Sequence, residues 1–325
     1  MSAKKSTNGR TLARQRRIFQ VLERVAPAVG ARMLDTIWFR LPQVSEKAKR
    51  LRVELPEATP LELPFEGGIV RGRIWSGGVA GGAVRGQGGV DGPTIYLVHG
   101  WGGWGLQLAA FVPPLLDAGF RVVAFDAPSH GESEPGRDGA QRSTLPELAD
   151  AFEAVVAAYG PAYGVMAHSL GAAAVTLALR DGFGARRIVF LATATDFREG
   201  LAQYEAHLGF GPRIRAGFLR RFSRRFGPME GYTVPTIVDA LAEERELPAL
   251  LVIHDRSDRE TSADGSIALV DVWPDAKLHL TDGLGHNRVL RDPAVVAAAT
   301  GFLTEGSTER AAADLPKEEQ ETMQG

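Results

Sequence analysis

Five short apolar runs, at 95–98, 122–125, 164–167, 188–191 and 250–253, recur along the middle of the chain. They are too short for free-standing helices and rich in β-branched residues, which predicts buried parallel strands. Helical periodicity fills most of the intervals, at 106–118, 145–159, 171–179, 262–272 and 293–303. Strand and helix in alternation predict an α/β fold with a doubly wound, mostly parallel sheet. Ahead of the first run, 69–75 alternates polar and apolar positions, as an antiparallel strand does.

The alternation fails once. Between the runs at 188–191 and 250–253 lie about fifty residues, 196–246, too many for a connection within such a sheet. A helical cap inserted between late strands is expected there. Ile214, Phe218, Phe222 and Phe226 recur at fourfold spacing and share one helical face, with Arg213, Arg220, Arg221, Arg224 and Arg225 elsewhere. Pro212 starts this helix and Gly227 ends it.

The same reasoning divides the chain into an N-terminal helical arm (1–60), a first core segment (61–195), the cap (196–246), a second core segment (247–304) and a polar, acidic tail (305–325) expected to be disordered. In the arm, Leu22, Val25, Val29 and Leu34 share a helical face, preceded by Lys4, Lys5, Arg10, Arg14, Arg16 and Arg17. The plain reading is an arm packed on the domain with its arginines in water. The competing one is weak contact of this basic helix with an anionic membrane surface. The glycine-rich stretch at 77–92 lacks the Lys-Ser/Thr of a phosphate-binding loop and reads as a surface turn.

Composition narrows the chemistry. The chain has 325 residues and no cysteine, so disulfides, thiol nucleophiles and thiolate metal sites are excluded. A net charge of -2 gives no general attraction to nucleic acid. No secretory signal pattern and no apolar stretch of membrane-spanning length is visible, and a cytoplasmic location is expected.

The informative segment is Gly-Val-Met-Ala-His-Ser-Leu-Gly-Ala at 164–172, where a strand passes into a helix through Ser169. A serine hydroxyl needs a base, and a turn that lifts it above the sheet edge demands small residues two before and two after. They are Ala167 and Gly171. Candidate acids follow later strands, at Asp196, Asp255 and Asp258, and then His286 comes in a glycine-rich loop. All these loops lie at strand carboxyl ends, where the crevice of an open α/β sheet forms. His168, His207 and His279 are better explained structurally. The N–H groups of Trp101, in the loop 99–103, and Leu170, at a helix start, are the expected oxyanion donors.

The segments His-Gly-Trp-Gly-Gly (99–103), Asp-Ala-Pro-Ser-His-Gly-Glu-Ser (126–133), Ala-His-Ser-Leu-Gly (167–171), His-Asp-Arg-Ser-Asp (254–258) and Gly-Leu-Gly-His (283–286) resemble the α/β-hydrolase superfamily, over about 69–303. The resemblance implies a triad of Ser169, Asp258 and His286, since the loop at 254–258 is similar to that family's His-Gly-x-x-Asp. It leaves Asp255 to brace the turn. Fold and triad are implied, but the substrate is not; because the strand-to-helix turn carries serine and not a carboxylate, a small-molecule ester, thioester or similar acyl group is expected, without cofactor or metal. Two other readings compete. Gly100, Gly102 and Gly105 form a dinucleotide fingerprint, with Asp126 about twenty residues on, which would suit an NAD(P)-dependent oxidoreductase. Trp101 and Trp104 oppose it by bulk. The other is a non-catalytic ligand receptor on the same fold.

Overall fold

The apolar runs all become strands of one eight-stranded sheet in a computed structural model that describes residues 2–44, 53–76 and 92–305. The glycine-rich stretch at 77–91 and the acidic tail beyond 305 lie outside the described residues. In chain order the strands are β1 (Thr59–Phe65), β2 (Gly68–Trp75), β3 (Thr94–Val98), β4 (Arg121–Phe125), β5 (Ala162–His168), β6 (Arg187–Leu191), β7 (Ala249–Asp255) and β8 (Lys277–Thr281). Their spatial order is β1-β2-β4-β3-β5-β6-β7-β8. β3 to β8 are parallel, while β2 runs antiparallel to both β1 and β4. The chain reverses its direction of travel across the sheet beside β3 and β5, so the carboxyl ends of these strands flank the crevice.

The helices are α1 (Ser2–Val25), α2 (Pro27–Trp38), α3 (Val112–Asp117), α4 (Leu145–Tyr159), α5 (Leu170–Arg180), α6 (Phe197–Leu208), α7 (Pro212–Phe226), α8 (Val234–Glu244), α9 (Ala263–Val272), α10 (Gly285–Arg288) and α11 (Pro293–Thr304). Strand side chains alternate between two cores. Tyr96, Val165, Phe190 and Val252 pack under α4, α5, α8 and α9, whereas Leu97, Met166, Val189 and Ile253 pack under α3 and α11. Burial on both faces is why these strands read as continuous apolar runs.

Three expectations need correction. The helix expected at 106–118 is a 3-10 stretch, Gly105–Phe111, followed by α3, because Pro113 and Pro114 fit only the first turn of a new helix. α8 is not part of the cap: Val234, Ile237, Val238 and Leu241 bury against the sheet, so the cap is α6, α7 and the turn Met229–Tyr232. The arm's predicted face is out of phase. Phe19 and Leu34 are fully buried, but Val25 and Val29 are 74% and 51% exposed. Arm and cap share a third core, in which Phe19, Leu34 and Phe39 meet Ile214, Phe218 and Phe222. Among the described residues, no helix is long and apolar enough to cross a membrane.

Candidate active site

β5 enters α5 through Ser169, whose backbone sits at φ 53, ψ -120. That positive-φ conformation is rare for a residue with a side chain and stores strain in the turn. The Ser169 N–H donates to the Leu191 carbonyl at 2.9 Å, and the Ser169 carbonyl accepts from Ala172 and Ala194 at 3.1 and 3.3 Å. The turn's demand for small neighbours is steric. A Cβ at Gly171 would lie 2.5 Å from the His99 carbonyl oxygen, and one at Gly100 would lie 2.9 Å from the Ser169 Cβ. Ala167, by contrast, is accommodated in the core, which explains why alanine serves before the serine but glycine is required after it.

Of the three candidate acids, one meets His286. Its Nδ1 lies 2.7 Å from Asp258 Oδ2. The Asp258 side chain is wholly buried, and its Oδ1 accepts from the N–H groups of Glu260 and Thr261 at 2.8 and 3.2 Å. Burial pushes this carboxyl up, but contacts from His254 and His286 and the Glu260 N–H outweigh it and hold Asp258 well below the usual carboxylate range. Asp258 is therefore an anion at any pH near neutrality. Asp255 accepts from Ser257 N–H (2.9 Å), Thr281 Oγ1 (2.8 Å) and Leu284 N–H (2.8 Å), so it ties the β7 turn to the loop carrying His286. Asp196 caps α6 through the Arg198 N–H at 2.8 Å and pairs with the Arg198 guanidinium at 2.6 Å.

Ser169, His286, Trp101 and Leu170 line a single cavity of about 480 Å³. The N–H groups of Trp101 and Leu170 have no hydrogen-bond acceptor among the described residues, and Leu170 opens a helix whose dipole favours negative charge at that point. The pair Asp258–His286 can hold one imidazole tautomer and stabilise its cation, which is what a general base beside a hydroxyl requires.

His168 plays the structural part expected of it, and His254 and Thr261, for which no role was expected, join it. His168 Nε2 donates to the His286 carbonyl at 3.1 Å, and burial pushes its imidazole down to about 3, so a neutral ring braces the His286 backbone. His254, at 3.4 Å from Asp258 Oδ2, bonds Ser266 Oγ at 2.6 Å on its other nitrogen. Thr261 Oγ1 reaches both Asp258 Oδ2 (3.2 Å) and His286 Nδ1 (3.3 Å). No periodicity or spacing announces the roles of His254 and Thr261, since they act through proximity alone.

The glycines of the 100–105 run are occupied by the protein itself. Pro42 covers Gly102, and Gln107 covers Gly103. Asp126 accepts from the N–H groups of Gly105 and Glu132 at 2.6 and 2.7 Å, which leaves both carboxylate oxygens engaged. A pyrophosphate would have to displace these contacts.

Residues 95–299 match the model of the alpha/beta hydrolase family. No curated protein matches the sequence. Among solved structures, Est1E from Butyrivibrio proteoclasticus with ferulic acid bound is 17% identical with a TM-score of 0.54, over 78% of this chain and 99% of that one. The thioesterase domain from the curacin biosynthetic pathway is 14% identical with a TM-score of 0.53, over 76% and 99%. A serine hydrolase involved in carbazole degradation is 16% identical with a TM-score of 0.52, over 77% and 100%. At these identities the likeness is one of fold.

Proposed function

The chain belongs to the alpha/beta hydrolase family, and from that premise we propose that it is a serine hydrolase that cleaves an ester, thioester or similar acyl bond through an acyl-enzyme on Ser169. The observation that carries this reading is the strained turn at Ser169 opening into the cavity that also holds His286, itself bonded at 2.7 Å to a buried Asp258. An inert helix cap needs neither the strain nor the pair.

The chemistry runs in two halves. Ser169 Oγ attacks the carbonyl carbon while His286 Nε2 takes its proton. The oxyanion that forms is held by the N–H groups of Trp101 and Leu170, each worth roughly 2.7–4 kcal/mol in the transition state. Collapse expels the leaving group, which receives the proton from His286. Water then attacks the acyl carbon with His286 as base, and Ser169 recovers its proton as the acid departs.

A fluorophosphonate probe tests the reading, because it reacts at useful rates only with an activated serine. The adduct is expected on Ser169 and absent from Ser169→Ala. An adduct on another residue, or none on folded protein, would overturn it, and with p-nitrophenyl acetate left uncleaved the non-catalytic receptor would take its place.

A further inference from the structure

The cavity that holds Ser169 is not lined by the family core alone. Trp38, Phe39 and Pro42 of the N-terminal arm line it, well ahead of residue 95, where the family match begins. Pro42 rests on the loop that carries Trp101: a Cβ at Gly102 would lie 2.3 Å from Pro42 Cγ. The Trp38 ring stands 5.4 Å from Tyr204 and 6.1 Å from Phe197, centroid to centroid, and Phe39 stacks on Phe222 at 6.4 Å with an interplanar angle of 10°.

The arm is fastened in this position. Glu23 accepts from the N–H groups of Gly211, Arg213 and Ile214 at 3.1, 2.8 and 3.1 Å, capping α7 from a distant part of the chain. Arg16 donates to the carbonyls of Ala206 and His207 at the end of α6. α2 and α7 approach closely because Gly217 faces Ala31, where a Cβ would lie at 2.8 Å. Next to the site, Leu41 N–H donates to the Gln141 carbonyl (2.9 Å) and Ser143 N–H to the Phe39 carbonyl (3.2 Å). An element tied at both ends acts as a fixed wall.

We propose that the N-terminal arm completes a substrate subsite in this cavity and that the subsite takes an aryl group. Edges and faces of aromatic rings attract another ring beyond the area they bury, and two such contacts together amount to about tenfold in affinity. An alkyl chain of similar area gains the burial but not the ring contacts. The aryl group sits on either the acyl or the alcohol side of the ester, and the location of the scissile bond rests on the Ser169 reading. Occupancy of the subsite does not.

Four esters decide it: ethyl 3-phenylpropionate against ethyl hexanoate, and 2-phenylethyl acetate against hexyl acetate, followed by pH-stat. One pair is expected to show an aryl preference of about tenfold in kcat/KM, falling to within about threefold in Trp38→Leu and in Tyr204→Leu, which keep apolar bulk without the ring. Calorimetric binding of 3-phenylpropionate, hexanoate, 2-phenylethanol and hexanol to the wild-type protein gives the same ratio without turnover. Aryl preference in neither pair and in neither binding comparison would overturn the proposal, as would a preference that survives both substitutions in folded protein. Failure of the Ser169 reading would look different: none of the esters cleaved, while the binding ratio stands.

Discussion

Three aspartates follow strands at the crevice, and replacing each by asparagine separates their duties. In Asp258→Asn the side chain keeps its shape, but an amide nitrogen or a neutral oxygen now faces His286 Nδ1 across 2.7 Å. The imidazole then favours the tautomer with its proton on Nε2, the nitrogen that must accept one from Ser169. In a serine protease this change lowers kcat about 10⁴-fold, equivalent to about 5 kcal/mol, and a similar loss is expected here. Asp255→Asn acts differently. Its Oδ2 accepts from both Thr281 Oγ1 and Leu284 N–H inside the protein, so an amide nitrogen at either oxygen meets a donor and leaves it unpaired. A buried orphan costs about 1–3 kcal/mol, which lowers Tm by several degrees and kcat only as far as the His286 loop loosens. Asp196→Asn keeps a good cap for α6 and loses only an exposed ion pair with Arg198, worth about 0–1 kcal/mol. Steady-state kinetics on an acetate ester with thermal melts of all three variants gives the ordering. Near-wild-type kcat in Asp258→Asn, with a collapse at 196 or 255, would refute the assignment.

Acid should unfold the protein early. His130 and His168 are buried and pushed down to about 3 by desolvation, so the native state stays unprotonated while the unfolded chain takes protons below about 6.5. Stability is then lost as pH falls from about 6.5 towards 3, by roughly 1.4 kcal/mol per pH unit for each histidine. The contribution of Asp258, whose folded carboxyl is held low, begins to fall below about 4 and is lost progressively as pH drops towards its folded value. Unfolding free energies from urea melts at pH 7 and 4.5 should differ by roughly 5 kcal/mol, and equal values would contradict the buried neutral rings. Glu23→Ala removes the acceptor for three N–H groups at the start of α7 and should cost about 1 kcal/mol. Urea unfolding reads it, and an unchanged midpoint would show that the arm does not brace the cap.

The parts of the fold that were legible are those where burial imposes a pattern. β3 to β7 are covered on both faces, so their apolar runs survive every competing signal. β1 escaped notice because it is an edge strand with Pro60 and Pro64, and only Leu61 is fully buried. The arm was misread in phase for a local reason. Pro27 starts a second helix after Val25, so spacing counted across the break assigns Val25 and Val29 to a face they do not share with Leu34. In the site, the turn at Ser169 and the glycines around it were legible because backbone strain and close approach restrict residue type at fixed offsets. The contact between His286 and Asp258 was inferred from chain order and from resemblance, and the structure brings those two side chains together. Trp38 could not be read the same way. Nothing in its neighbourhood along the chain distinguishes it from a core tryptophan, and its place in the cavity that holds Ser169 exists only because Glu23, Arg16 and the glycines of α2 and α7 dock an arm that lies outside the family match. Part of the cavity lining in such a chain is therefore carried by a segment with no motif, held in place by contacts made about 190 residues away in sequence.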